Sequence, residues 1–242
     1  MKHLGEERPR ASGRLRAARA CVTLAGVALL AGQAAGVEPP PAPLSSILVD
    51  AQSGIVLEEH DADRAQPALG IGRLMVALLT FEQLQLGIYE AQDGVAISAE
   101  AAAAAAGLLR LDPERTYPIE ELLRAIVVAG APDATAALAD VICWDPSIRA
   151  QMMTERARLL GMAATNLAGL RSEAGAGSGT TTVRDAARLV RALVDHPEVV
   201  RWAALPGVPF DGGPVVLRNT NALVGTVVGV DGVQAARADG NC

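Results

Sequence analysis

Few side chains in this sequence could activate a nucleophile. After residue 36 the chain contains two histidines, His60 and His196, and no lysine, because its only lysine is Lys2. A serine or threonine hydroxyl is a weak nucleophile until a neighbouring base accepts its proton. Because residues 37–242 contain no lysine, a mechanism that uses lysine as this base is excluded. The remaining possibilities are a serine–histidine–aspartate hydrolase, a metal site, and a binding site without catalysis.

A hydrolytic triad would have to be built on His196. Its partners would come from the hydroxyl and carboxylate side chains that precede it in the sequence: Ser172, Ser178, Thr180–Thr182, Asp185 and Asp195. Nothing in the spacing of these residues brings them together in the fold. Because His196 precedes Pro197 at a predicted helix end, we interpret it instead as a residue that caps backbone carbonyls.

The nearest approach to a metal site is a group of acidic residues that follows the first predicted strands. It consists of Glu58, Glu59, His60, Asp61 and Asp63. A run of charged residues after a strand is typical of a solvated turn, and we interpret it so. The glycine-rich stretch Gly175–Gly179 lacks the lysine of a phosphate-binding loop. The sequence therefore predicts no metal and no cofactor.

Aromatic and sulfur side chains are rare. Trp144 and Trp202 could stack on the sugar rings of a glycan, but each lies beside an apolar run, and we interpret both as core residues. After residue 36 the cysteines are Cys143 and Cys242. They could pair in an oxidising compartment, but we favour one buried thiol and one thiol at a frayed terminus.

Periodicity and turn residues predict the elements that would position these side chains. Apolar residues around a turn at Gly54 predict a β-hairpin over Ser46–Glu58, and short β-prone runs occur at Val215–Leu217 and Val227-Val228. Four helices are predicted from apolar spacing, alanine content, a proline at a first helical position and a capping threonine. They are Arg73–Leu86, Ala99–Ala106, Pro118–Val127 and a helix after Thr182. Ser172–Thr182 is predicted to be a loop. Strands at both ends with helices between them indicate an α+β fold.

Composition limits the class of protein. Half of the 242 residues are hydrophobic and only 2% are aromatic, so the core must consist of aliphatic side chains. The formal net charge is −6, and this acidic balance argues against a nucleic-acid partner.

Residues 1–36 are predicted to be a secretory signal. Lys2 and five arginines precede an apolar stretch from Ala20 to Ala31, which is too short to span a bilayer, and Ala34-Ala35-Gly36 offers small residues for cleavage. The alternative is an N-terminal membrane anchor. Residues 37–45 form a proline-rich linker, and residues 37–242 carry 25 acidic residues and 15 arginines with no transmembrane span. We therefore expect export to the periplasm or extracytoplasmic space.

Five stretches of the sequence resemble the penicillin-binding D-alanyl-D-alanine carboxypeptidases, serine peptidases that trim peptidoglycan stem peptides. They are Ser46–Glu58, Arg73–Leu79, Ile119–Asp140, Thr181–Val194 with His196-Pro197-Glu198, and Leu217–Val233. The last is the most specific, because Asn219-Thr220-Asn221 is followed by Gly229-Val230-Asp231-Gly232. The resemblance covers nearly all of residues 46–242, taken as one domain. It implies a β-lactamase/transpeptidase-like α+β fold in which an antiparallel sheet is joined to a helical subdomain.

The resemblance also implies where the catalytic groups should lie, and this sequence departs from the pattern there. The family uses a serine three residues before a lysine at a helix start, a Ser-x-Asn on a nearby loop and a Lys-Thr-Gly on an edge strand. The matching positions are Gly70 and Arg73 for the first motif, Gly130 and Pro132 for the second, and Gln234 for the third. Gly70 has no side chain to acylate, and an arginine stays protonated and cannot act as a base.

We therefore expect an exported, catalytically inactive relative of these enzymes that at most binds a peptidoglycan stem peptide or a cell-wall enzyme. Such a role rests on the family analogy alone. Two alternatives stay open. The chain could be an active serine-type carboxypeptidase with its catalytic groups elsewhere, or a truncated gene product without function. Labelling by a fluorescent penicillin would reveal a competent nucleophilic serine.

The same resemblance predicts that the last strands of the sheet are missing. In the family, two later strands lie between the N-terminal hairpin and the strand that carries Lys-Thr-Gly. Here that strand would lie near Val230–Ala236, and the chain stops at Cys242, where the next one would begin. Ile47–Leu57 and Val230–Ala236 are then expected to present unpaired edges, which favour aggregation.

Overall fold

The helices of the described residues pack around one central helix. This computed structural model describes residues 45–68, 70–103, 107–167, 179–211 and 213–233, which lie in the compact unit Leu44–Cys242. The helices are α1 (Ile71–Gln85), α2 (Ala99–Ala102), α3 (Ile119–Ala129), α4 (Pro132–Ile142), α5 (Pro146–Leu159), α6 (Val183–Val194) and α7 (Pro197–Ala203). None of them is long and apolar enough to cross a bilayer.

Helix α1 is central because its apolar residues surround the helix axis. Ten of its residues, from Ile71 to Phe81, are buried. A helix with that pattern cannot leave one side in water without exposing apolar surface. It packs against α3, α4, α5 and α6. The core around it is aliphatic, as the composition predicts, with Met75, Leu122 and Ile126 fully buried.

Local signals explain where the other helices begin and end. Helix α3 has Glu120 and Glu121 in its first turn, where they face the positive end of the helix dipole, and it ends at Gly130 in the left-handed conformation. Pro132 begins α4 two residues later. The Thr182 hydroxyl accepts a hydrogen bond from the backbone N–H of Asp185, so the predicted cap of α6 is confirmed.

The described strands form four separate antiparallel pairs. The strands are β1 (Ser46–Val49), β2 (Val56–His60), β3 (Gln66–Pro67), β4 (Gly94–Ala96), β5 (Thr116–Pro118), β6 (Thr180–Thr181), β7 (Gly207–Pro209) and β8 (Val216–Arg218). They pair as β1–β2, β3–β6, β4–β5 and β7–β8. The α+β class and the N-terminal hairpin are thus confirmed, and Leu48 pairs with Glu58 in its register. The expected antiparallel sheet is present as these short pairs.

Three local predictions need correction. Pro118 ends β5, and the helix begins one residue later at Ile119. The predicted strand at Val227-Val228 is wrong, because Gly225 adopts a positive φ of 76° and the N–H of Val227 bonds back to the Leu223 carbonyl, which makes a turn. The alanine-rich helix is described only over Ala99–Ala102, and residues 104–106 lie outside the described residues.

Candidate functional site

The start of α1 offers backbone rather than a nucleophile. Gly70 occupies the N-cap position with φ 76° and ψ −19°, and it makes no side-chain cap hydrogen bond. Its carbonyl accepts the N–H of Leu74 at 3.2 Å, which begins the helical pattern. Glycine suits this position because the left-handed conformation is strained for residues that carry a Cβ. Gly70, which we expect from the sequence at the position of the family's serine, therefore has no atom that could be acylated.

Arg73 lies one turn into α1 and is buried. Its Nη1 donates a hydrogen bond to the carbonyl oxygen of Gly130 at 2.7 Å. Gly130 is the C-cap of α3, where φ is 62° and the last carbonyls of the helix need donors. The guanidinium is a donor on every side and cannot accept a proton from a substrate or a hydroxyl. Arg73 therefore ties α1 to the end of α3 and supplies a fixed positive charge.

The residues that we expect, from the sequence, at the second and third motifs lack the family's polar side chains. Pro132 is the first residue of α4, where its missing N–H costs nothing. Gly130 and Pro132 carry no hydroxyl and no amide, so they cannot relay a proton. Gln234 lies outside the described residues. The structure thus brings Arg73 and Gly130 into contact, with Pro132 two residues along the chain.

Sequence reasoning missed Asp133, the next residue in this turn. It is 1% exposed, and its carboxylate accepts hydrogen bonds from the backbone N–H groups of Leu109 at 2.7 Å and Arg110 at 3.0 Å. It therefore anchors the loop before β5 to the start of α4. The available signal was an acidic residue in the first turn of a helix, which indicates a cap but not the loop it holds.

The described residues do not form the histidine triad. The Asp185 carboxylate accepts the N–H of Ala164 and the hydroxyl of Thr165, and it pairs with Arg188 at 2.6 Å. The Thr182 hydroxyl is used by the helix cap. Neither residue hydrogen-bonds to His196, and Ser172 and Ser178 lie outside the described residues.

The interpretation of His196 as a carbonyl cap is also wrong. His196 is the N-cap of α7, and its side chain makes no cap hydrogen bond. Its ring stacks on Phe81 at 4.7 Å between centroids, and its Nδ1 lies 3.3 Å from Nε2 of Gln85. Burial lowers the pKa of His196, while the charges of Glu82, Glu198 and Asp195 act in the opposite direction. The ring is therefore a neutral, mostly buried group.

The acidic turn is exposed, as predicted, and it is held by an arginine. Arg184 of α6 bonds to Glu59 and to Asp63, each at 2.7 Å. The hydrogen bond from Arg184 lowers the pKa of Asp63. The described part of the chain contains no group of three or more histidine, cysteine or carboxylate side chains that could hold a metal ion. These ion pairs therefore attach the turn after β2 to α6.

The two tryptophans have different environments. Trp202 is 4% exposed, so its assignment to the core is confirmed, whereas Trp144 is 73% exposed and that assignment is wrong for it. Trp144 lies in the short link between α4 and α5, where no apolar layer covers it. Cys143 is a free, partly buried thiol, and Cys242 lies outside the described residues.

Comparison with curated proteins identifies relatives over most of the chain. It is 26% identical over 199 residues to the D-alanyl-D-alanine carboxypeptidase DacF of Bacillus subtilis, which covers 78% of this chain and 49% of that protein. It is 26% identical over 183 residues to the D-alanyl-D-alanine carboxypeptidase DacB2 of Mycobacterium tuberculosis, covering 74% and 60%. The chain thus spans about half the length of the curated relatives it matches.

Solved structures share the fold. Penicillin-binding protein D2 from Listeria monocytogenes, in its cefotaxime-bound form, matches with a TM-score of 0.67 and 26% identity over 81% of this chain and 79% of that one. Penicillin binding protein 5 from Haemophilus influenzae matches in fold with a TM-score of 0.73 and 23% identity over 84% and 60%. The β-lactamase/transpeptidase-like fold is therefore confirmed.

A family model for D-alanyl-D-alanine carboxypeptidases matches residues 36–239, which is most of the sequence. This range includes every element described above, from the N-terminal hairpin to the turns after β8. The chain belongs to the D-alanyl-D-alanine carboxypeptidase family.

Proposed function

We propose that this chain is an exported, catalytically inactive member of its family that binds a peptidoglycan stem peptide without cleaving it. The observation that carries the proposal is the start of α1. Gly70 has no side chain there, and Arg73 gives its guanidinium to the Gly130 carbonyl at 2.7 Å. A serine peptidase needs a hydroxyl and a base in contact, and neither group is present in this pair.

The family gives the ligand class. Its members act on D-alanyl-D-alanine peptides of the cell wall, and the family model matches residues 36–239 of this chain. Loss of the nucleophile removes acyl transfer but does not by itself prevent binding without a covalent step. A stem peptide can then bind without a covalent step. A cell-wall enzyme that contacts the same surface is the second partner that the analogy supports.

Export is part of the proposal. The predicted signal, residues 1–36, and most of the linker, residues 37–45, lie outside the described residues. The ligand class supports export, since peptidoglycan lies outside the cytoplasmic membrane. Detection of the chain in the extracytoplasmic fraction, with an N-terminus near Val37, is the expected result. A cytoplasmic chain that retains residues 1–36 would contradict it.

Inactivity is tested by intact-mass spectrometry after incubation with a penicillin. We expect no mass increase, because no hydroxyl at residue 70 can form the ester. Release of D-alanine from a D-alanyl-D-alanine peptide should likewise stay at the level of buffer. A gain of one drug mass that maps to a serine would overturn the proposal and support the alternative of an active enzyme.

Binding is tested separately with isolated peptidoglycan. The protein should sediment with peptidoglycan that carries intact stem peptides and should be competed off by a soluble D-alanyl-D-alanine peptide. The matched control is the same glycan after amidase removal of its stems, which should not bind the protein. Equal binding to both preparations, or to neither, contradicts a stem-peptide ligand.

A further inference from the structure

A concave site lies away from the start of α1, where the C-terminal part of that helix meets α3 and α7. It is a cavity of about 340 Å³. Phe81 and Leu84 line it from α1, Leu123 from α3, and Trp202 from α7. Phe81 and Trp202 lie 6.0 Å apart between ring centroids. The wall is therefore apolar and aromatic, and its volume is near the lower end of ordinary ligand sites.

Two polar side chains, His196 and Gln85, are built into this wall. His196 is 6% exposed, lines the cavity and stacks on Phe81. Gln85 also lines the cavity, and its amide lies 3.3 Å from Nδ1 of His196. When the amide donates to Nδ1, the neutral ring carries its proton on Nε2. Among the described residues, nothing is hydrogen-bonded to that Nε2. The ring therefore retains one unused donor.

The mouth of the cavity carries charges of both signs. Arg201 and Glu198 line it from α7, and Glu120 lines it from α3. Glu120 accepts a hydrogen bond from Gln92. Within the described ranges, Arg201 and Glu198 form no ion pair with each other or with another side chain. An unpaired cation and an unpaired anion beside one apolar cavity fit a ligand that carries both charges.

We propose that this cavity binds a free α-amino acid with an apolar or aromatic side chain. The carboxylate of the ligand pairs with Arg201 and accepts the Nε2 proton of His196. Its ammonium group pairs with Glu198, and its side chain packs on Leu84 and on the edges of Phe81 and Trp202. Gln85 orients the His196 ring through Nδ1. The site is separate from the Gly70–Arg73 region and needs no covalent step.

The test uses the full chain with Trp144→Phe, which leaves Trp202 as the only indole. Trp144 is exposed, so this change leaves the core intact. Titration with phenylalanine should give a saturable change in Trp202 fluorescence. Phenethylamine lacks the carboxylate and 3-phenylpropionate lacks the amine, so each should bind about tenfold more weakly, as expected when one charged contact is lost.

Variants at the mouth assign each contact. Arg201→Gln should weaken phenylalanine and 3-phenylpropionate about tenfold and leave phenethylamine unchanged. Glu198→Gln should weaken phenylalanine and phenethylamine about tenfold and leave 3-phenylpropionate unchanged. Arg158→Gln, at an exposed arginine of α5, is the matched control and should change nothing. Circular dichroism confirms that each variant is folded.

Two results would overturn the proposal. The first is the absence of a saturable change up to about 10 mM phenylalanine, which would mean that no useful affinity exists. The second is equal binding of all three compounds with no effect of either mouth variant, which would mean an apolar cavity without recognition of the zwitterion. Neither result depends on peptidoglycan binding, so this experiment does not test the function proposed above, and the peptidoglycan experiments do not test this cavity.

Discussion

The guanidinium of Arg73 determines what the start of α1 can do. It is buried, and it donates to the carbonyl at the end of α3. A buried cation is tolerated only when its donors are used, so this contact holds the arginine in one orientation. The residue therefore has a structural role. A lysine there would be shorter and could lose its proton, whereas the arginine keeps its charge and its planar set of donors.

Restoring two family residues should not restore catalysis. Gly70→Ser with Arg73→Lys supplies a hydroxyl and an amine, but residue 70 has a φ of 76°, which is strained for serine, and Pro132 still offers no relay. Groups that act as one catalytic unit lose nearly all activity when one is missing. We expect D-alanine release from a D-alanyl-D-alanine peptide to stay at the level of the single variant Arg73→Lys. Turnover in the range of active relatives would refute this.

The stability of the fold should depend on the protonation of His196. Burial lowers its pKa in the folded chain, so the unfolded chain binds more protons as the pH falls through about 6.5. The free energy of unfolding should therefore decrease between about pH 7.5 and 5.5. Urea unfolding at several pH values measures this slope.

The control for that slope is the comparison of two histidine variants. His196→Gln should flatten the slope, whereas His60→Gln should not, because the His60 side chain is 63% exposed. Glu82, Glu198 and Asp195 favour the charged ring and reduce the effect, so their removal should steepen it. Equal slopes in the parent and both variants would contradict the assignment.

At the scale of elements, the N-terminal hairpin is held to α6 by arginines. Arg184 bonds to Glu59 of β2, and Arg191 donates to the carbonyl of Ala51 at 3.2 Å in the hairpin turn. The turn itself is closed by Asp50, whose carboxylate accepts the N–H of Ser53 at 2.7 Å. A two-stranded hairpin is marginal in water, so these contacts contribute to its position.

Gly54, in this turn, lies against the Arg191 side chain of α6. Its φ is 76°, and a Cβ added there would lie 2.3 Å from Nη1 of Arg191. Gly54→Ala should therefore destabilise the chain by about 1–2 kcal/mol from backbone strain and should also displace Arg191. Thermal or urea unfolding gives the change in the free energy of unfolding.

Gly87 is the matched control for the strain alone. Its φ is 67°, and a Cβ there would have no atom within 4 Å. Gly87→Ala should cost about 1 kcal/mol, and the extra cost at Gly54 should vanish in an Arg191→Gln background. Equal costs for the two alanine variants in the parent chain would show that Arg191 moves without loss.

Prediction from sequence worked best where the signal is local. The cap at Thr182, the hairpin and the central helix each depend on residues a few positions apart, and the structure contains all three. It failed where a distant contact decides the environment. His196 stacks on Phe81, 115 positions earlier, and nothing in the local pattern around His196 indicates that partner. The exposed Trp144 and the anchor at Asp133 are equally non-local outcomes.

At the scale of the whole molecule, burial is unevenly distributed. The helices share a core in which Met75, Leu122, Ile126 and Leu138 are at most 1% exposed. The strands contribute much less. Every residue of β2 is exposed, and Leu57 and Val216 are each more than half exposed. Apolar burial contributes about 25 cal/mol per Å², so most of the stability lies in the helical part.

This distribution predicts non-uniform unfolding and a tendency to associate. β1–β2 and β7–β8 are two-stranded pairs with exposed apolar side chains on β2 and β8, and such edges pair with other chains.

In urea, far-ultraviolet circular dichroism should show helical signal that persists after the hairpins have opened, and light scattering should rise with protein concentration. Because a stable domain has only about 5–15 kcal/mol of unfolding free energy, separate loss of the hairpins should make the apparent urea slope shallower than that of a cooperative unit. Removing apolar surface by Leu57→Ser and Val216→Ser should lower the scattering, while Leu159→Ser, at an exposed position of a helix rather than a strand edge, should leave it unchanged. A single cooperative transition from a monomer, with the slope of a domain of about 200 residues, would show that the hairpins unfold together with the helical core.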